Sequence, residues 1–153
     1  MRRPCQIIFL ILLVAGEVSA FAATGSVAKV LPSFLDLNGR HSLSPSLFDR
    51  DAYQAQLRQH PDQCSGMRFD VLWRGRSTAN ASAMLRLELR GTAKGDLPSQ
   101  RTLETPVRIT GTGHWAKFQL DGEGYKKFGE VTAWRVSLWN GDQLLGEQKS
   151  FLW

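Results

Sequence analysis

His41, His60 and His114 are the side chains best suited to bind a transition metal or move a proton, and none sits in a zinc motif such as H-E-x-x-H. Serines lie beside glycines at Gly25-Ser26 and Ser65-Gly66, but no G-x-S-x-G elbow surrounds them, so no activated hydroxyl is expected. Asp121 and Glu123 are near neighbours in a turn-rich stretch, where paired acid-base carboxylates would still need a cleft. The glycine-rich stretches 110–113 and 122–124 lack the lysine of a phosphate-binding loop and read as turns. These residues predict no catalytic site, no metal and no cofactor.

Arginine and tryptophan carry more promise. Residues 67–108 hold eight basic side chains against four acidic ones, and seven of the eight are arginine. The guanidinium fork suits carboxylate and phosphate partners, so Arg74, Arg76, Arg86 and Arg90 are candidate binding residues for an acidic partner. Of five tryptophans, Trp73 and Trp134 alternate with other apolar residues and belong to a core. Trp115, Trp139 and Trp153 are left for the surface, where an indole can stack on a sugar ring; Trp115 and Trp139 complete the candidate set.

The elements that must position these residues are mostly strands. Met67, Phe69, Val71 and Trp73 alternate with residues that are polar except for Leu72, and Leu85, Leu87 and Leu89 alternate with charged ones, the period of a half-buried strand. Leu103 to Ile109 forms another strand, placed at a sheet edge by Pro106, and residues 91–99 form a turn-rich connection before it. Residues 115–120 add a strand, and 131–139 with 143–153 form a hairpin around Asn140-Gly141-Asp142. Between them, 121–129 reads as one helical turn crossing between sheets. Val27–Leu31 supplies a first strand ended by Pro32. One helix is expected at 46–59, capped by Ser46 and stopped by Pro61.

The first 22 residues read as a leader. Arg2 and Arg3 precede the apolar run Ile7–Ala15, which is too short to span a bilayer, and small-x-small sites end at Ala20 and Ala22. Cleavage at either site removes Cys5 and leaves Cys64 without an intramolecular partner: buried and inert, or a handle for an intermolecular bond. Asn80-Ala81-Ser82 matches a glycosylation sequon that matters in a eukaryotic host. The expected organisation is thus a cleaved leader, 1–22, and one β-sandwich domain, 23–153, destined for the periplasm or secretion. An outer-membrane barrel is disfavoured because Arg68, Asp70, Arg86, Glu88 and Arg90 would face lipid.

Seven short strands ending in a hairpin resemble immunoglobulin-like and fibronectin type III domains, which implies a two-sheet sandwich with the 46–59 helix as an insertion. The stretches 29–32, 39–47 and 129–136 also resemble those of small exported bacterial proteins, which supports export and implies no activity. With 153 residues, 42% hydrophobic, 22% charged and a net charge of +5, the chain is neither disordered nor a coiled coil. The function expected is non-catalytic binding of a macromolecule in the bacterial envelope: an anionic glycan, a lipid head group or a protein, with nucleic acid disfavoured. The alternatives are a small hydrolase or enzyme inhibitor without a readable site, and a carbohydrate-binding module.

Overall fold

The computed structural model describes residues 23–77 and 81–153, so the expected leader and Asn80 lie outside the described residues. In chain order the elements are β1 (Thr24–Asp36), α1 (Leu47–Gln59), β2 (Cys64–Arg76), β3 (Ser82–Ala93), β4 (Leu97–Arg108), β5 (Gly113–Asp121), α2 (Gly122–Phe128), β6 (Glu130–Asn140) and β7 (Gln143–Lys149). All strand pairs are antiparallel, in a three-stranded sheet of order β1-β2-β5 and a four-stranded sheet of order β4-β3-β6-β7.

Alternation decides which residues enter the core. Met67, Phe69, Val71 and Trp73 from β2 meet Leu85, Leu87 and Leu89 from β3, Phe118 and Leu120 from β5, and Val136 and Leu138 from β6 in one buried cluster. The two sheets are therefore the layers of a β-sandwich, each turning its other face outward.

Three elements run further than their sequences suggest. β1 continues through Pro32 to Asp36, and β4 begins at Leu97 and carries both Pro98 and Pro106. Each is the edge strand of its sheet, where a missing ladder donor does little harm. β3 likewise extends to Ala93, which shortens the connection expected over 91–99 to residues 94–96. The hairpin closes through Gly141-Asp142, with Gly141 at φ 56°, inside the turn expected over 140–142, and its second strand ends at Lys149 rather than running to Trp153. The expected crossover turn is α2.

The inserted helix starts and stops as its sequence dictates. The Ser46 hydroxyl accepts from the amide of Asp49, and His60 closes the last turn just before Pro61. Leu57 is buried and anchors the helix, while Gln54 ties it to the exposed edge of β1: its carbonyl oxygen accepts from Phe34 N at 2.7 Å and its amide donates to Phe34 O at 2.9 Å. A single glutamine thus replaces a neighbouring strand.

Trp134 points inward and packs half-buried against the core, less deeply than alternation alone implies, while Trp139 lies on the opposite, outer face over Arg86. We expect Trp134→Ala to cost about 3 kcal/mol, near the lower limit for emptying a large core position. Trp139→Ala should cost about half as much, through a lost stack and a lost hydrogen bond. Urea denaturation of both variants checks this; equal losses would mean that β6 is in the other register.

Candidate functional site

The six candidate residues divide between the two outer faces. Arg86, Arg90 and Trp139 lie on the four-stranded sheet. Arg74, Arg76 and Trp115 lie on the three-stranded sheet; Arg74 and Arg76, which flank Gly75 and are expected from sequence in a loop, belong to β2.

The centre of the outer face of the four-stranded sheet satisfies itself. Arg86 Nε donates to Glu104 at 2.6 Å, and Arg135 forms a fork with Glu88 at 2.8 and 3.0 Å. Arg86 stands 5.5 Å from the Trp139 ring centre, and Arg90 and Arg135 lie 4.0 and 4.8 Å from that of Trp153. The Trp139 indole N–H donates to Ser137 Oγ at 2.8 Å. At the centre of this face the cations pair with carboxylates from neighbouring strands or cover aromatic faces, so neither Trp139 nor Trp153 offers an open platform; Arg108 and Lys149, at its corners, have no ion-pair partner among the described residues.

The outer face of the three-stranded sheet is the reverse. Strand register places Leu72 between Lys29 and Trp115, and Asp70 between Leu31 and Lys117. One row from Trp115, the Arg74 side chain lies over Gly113, and Arg76 continues the same face of β2. Trp115 is 56% exposed. Among the described residues no carboxylate lies within ion-pair distance of Lys29, Arg74, Arg76 or Lys117.

α1 stands as a wall at one end of this face. Beneath it opens a groove of about 330 Å³ lined by Leu31, Ser33, His41, Arg50, Arg58 and Asp70, among others, at the small end of the range for ligand sites. On the groove floor Arg68 grips Asp70 through Nε and a terminal nitrogen at 2.7–3.0 Å. Arg50 reaches Asp51 at 3.4 Å, and Arg58 has no ion-pair partner among the described residues. Burial lowers the pKa of His41, Arg68 and Arg50 lower it further against the opposing pull of Asp70, and its imidazole is neutral at pH 7. The groove therefore offers positive charge and hydrogen-bond donors, together with two carboxylates, Asp70 and Asp51, each beside an arginine.

The remaining candidates for chemistry are accounted for locally. His114 is not a free imidazole at a turn: its Nε2 contacts the Thr110 and Thr112 hydroxyls, and its ring tilts against Trp73 at 5.5 Å. His60, Asp62 and Cys64 stand two residues apart, a spacing with ligand potential, yet the Cys64 thiol turns to the carbonyls of Leu57, at 3.3 Å, and His60. Burial, and then Asp62, raise the Cys64 pKa, which keeps the thiol protonated. Among the described residues no group of three His, Cys, Asp or Glu side chains could hold a metal ion. Asp121 contacts Gln119 and Glu123 pairs with Lys126, so the two carboxylates do not act as a pair.

Four residues of the site, Lys29, His41, Arg58 and Lys117, were not expected from sequence. Lys117 was within reach, two residues from Trp115 on the same face of an alternating strand. Lys29, His41 and Arg58 join only when β1 and α1 are seen to share that face.

No family model and no curated protein matches the chain. Among solved structures, the chain is similar to part of a Bifidobacterium adolescentis GH3 beta-glucosidase, with 11% identity and a TM-score of 0.42 over 84% of this chain. It spans 17% of the length of that enzyme chain, and at this level the likeness says nothing about fold or activity.

Proposed function

We propose that the protein is an exported, non-catalytic binding protein of the bacterial envelope that holds an anionic macromolecule on the outer face of its three-stranded sheet. The observation that carries this reading is the contrast between the two outer faces. Among the described residues, one has its central arginines Arg86, Arg90 and Arg135 paired or stacked, with only Arg108 and Lys149 unpaired at its corners; the other leaves Lys29, Arg74, Arg76 and Lys117 without carboxylate partners around an exposed tryptophan. Clustered unpaired cations attract polyanions from a distance of about one Debye length, ~8–10 Å at physiological salt.

We assign the sandwich to the fibronectin type III side of its resemblance. The fourth strand lies with the third, sixth and seventh, whereas a constant-type immunoglobulin domain places it with the first, second and fifth. Such a domain serves as a rigid support whose outer faces remain available to partners.

Retention on heparin-agarose tests the binding face. The wild type should be retained at low salt, and Lys29→Ser/Arg74→Ser/Lys117→Ser should elute much earlier. Arg86→Ser/Arg90→Ser should elute close to the wild type, because its cations are already engaged. A wild type that flows through at low salt, or two variants that elute together, would overturn the assignment.

A further inference from the structure

We infer that the ligand of this face is an acidic polysaccharide, one sugar ring stacking on Trp115 and the chain running along the sheet into the groove beneath α1. The inference rests on the anion-binding reading above and adds the chemistry of the ligand. Trp115 is 56% exposed, and among the described residues no aromatic ring or cation stacks on it, in contrast to Trp139 and Trp153. An indole face left open to water is the surface on which the apolar side of a pyranose packs.

The groove selects among polyanions. Its floor carries Asp70, fixed by Arg68 with lone pairs to spare, and its wall carries Asp51 beside Arg50. Carboxylates in such positions accept hydrogen bonds from hydroxyl groups and repel a phosphodiester backbone with a charge on every unit. Lys117, one strand from Asp70, and Arg58 on the helix then meet the more widely spaced carboxylates of a chain that carries a uronic acid at every second sugar. A single-stranded nucleic acid would also need several stacking platforms, and Trp115 is the one exposed tryptophan on this face. Dense hydroxyls, sparse negative charge and one stacking ring together describe an acidic glycan.

Fluorescence titration and calorimetry with hyaluronan, a neutral galactan, polyphosphate and oligo-dT test the inference. Hyaluronan, which carries a carboxylate on every second sugar, should bind tightest of the four and shift the tryptophan emission. Trp115→Ala should weaken it about tenfold or more while leaving the thermal midpoint and polyphosphate binding nearly unchanged. Asp70→Asn should reduce discrimination against polyphosphate. If polyphosphate or oligo-dT binds as tightly as hyaluronan, or if Trp115→Ala binds hyaluronan as the wild type does, the glycan assignment fails and the anion-binding face stands. If the wild type binds none of the three anionic probes, both fail.

Discussion

Gly129→Ala should be among the most damaging single substitutions in the chain. Gly129 follows α2 at φ 81°, ψ −148°, a conformation open essentially to glycine alone. A methyl group there would stand 2.1 Å from the carbonyl oxygen of Thr92 and 2.8 Å from Ala93 Cα, backbone atoms that cannot rotate away. The close approach is fixed from both sides: Phe128 is buried, and its carbonyl accepts from Ser99 Oγ at 2.7 Å. Backbone strain of about 1–3 kcal/mol and overpacking of similar size add to roughly 4 kcal/mol, a large share of the 5–15 kcal/mol typical of a whole domain. Gly141→Ala is the control. It also requires positive φ, at 56°, but nothing lies within 4 Å of the added methyl, so it should cost about 1–2 kcal/mol. Chemical denaturation of the pair separates the contributions, and equal losses would mean that α2 does not approach β3 so closely.

The core strands were legible because their two faces differ in chemistry. Phe69 and Leu87 have neighbours of opposite character on both sides, and burial follows that alternation residue by residue. β1 and β4 were harder to read because an edge strand tolerates proline and exposes more of its surface, which weakens both the punctuation and the period. The binding face was the least legible part. Net charge along residues 67–108 pointed to Arg86 and Arg90 as much as to Arg74 and Arg76, but Glu104 takes Arg86 from the next strand, Trp153 lies under Arg90, and Glu88 of the same strand is held by Arg135 from β6. Free charge resides where Lys29, Arg74 and Lys117 come from three different strands. Cross-strand pairing decides whether a cation is available, and that pairing depends on topology rather than on local sequence.

The helix that walls the groove depends on one carboxylate, and we expect Asp36→Ala to destabilise the protein by about 3–5 kcal/mol, the usual effect of removing one partner from a buried charged network. Asp36 Oδ1 accepts from the amides of Asn38 and Arg40 at 2.8 Å each, and Oδ2 accepts from Arg40 Nε at 3.0 Å and from the Tyr53 hydroxyl of α1 at 2.8 Å. The sequence Asp-Leu-Asn-Gly at 36–39 carries the local signal of such a turn, in which a carboxylate caps the amides that follow it. Burial alone would raise the Asp36 pKa; the hydrogen bonds from the Arg40 amide, Tyr53, the Asn38 amide and the Arg40 side chain outweigh it and lower the value from 3.8 to about 2. A depressed carboxylate stabilises the fold at every pH above its unfolded value, and that contribution is lost as pH falls from near 4 through about 2. Urea midpoints at pH 6, 4, 3 and 2 should therefore fall steeply for the wild type across the lower part of the range. Asp36→Ala should start lower and fall less, since its network is already absent. An equal acid slope in both proteins would place the titrating group elsewhere. Because Tyr53 and Gln54 are neighbours on α1, loosening the Asp36 network also loosens the wall that carries Arg50 and Arg58. Acid should accordingly weaken polyanion binding in the groove before it unfolds the sheets, which an apolar cluster holds together.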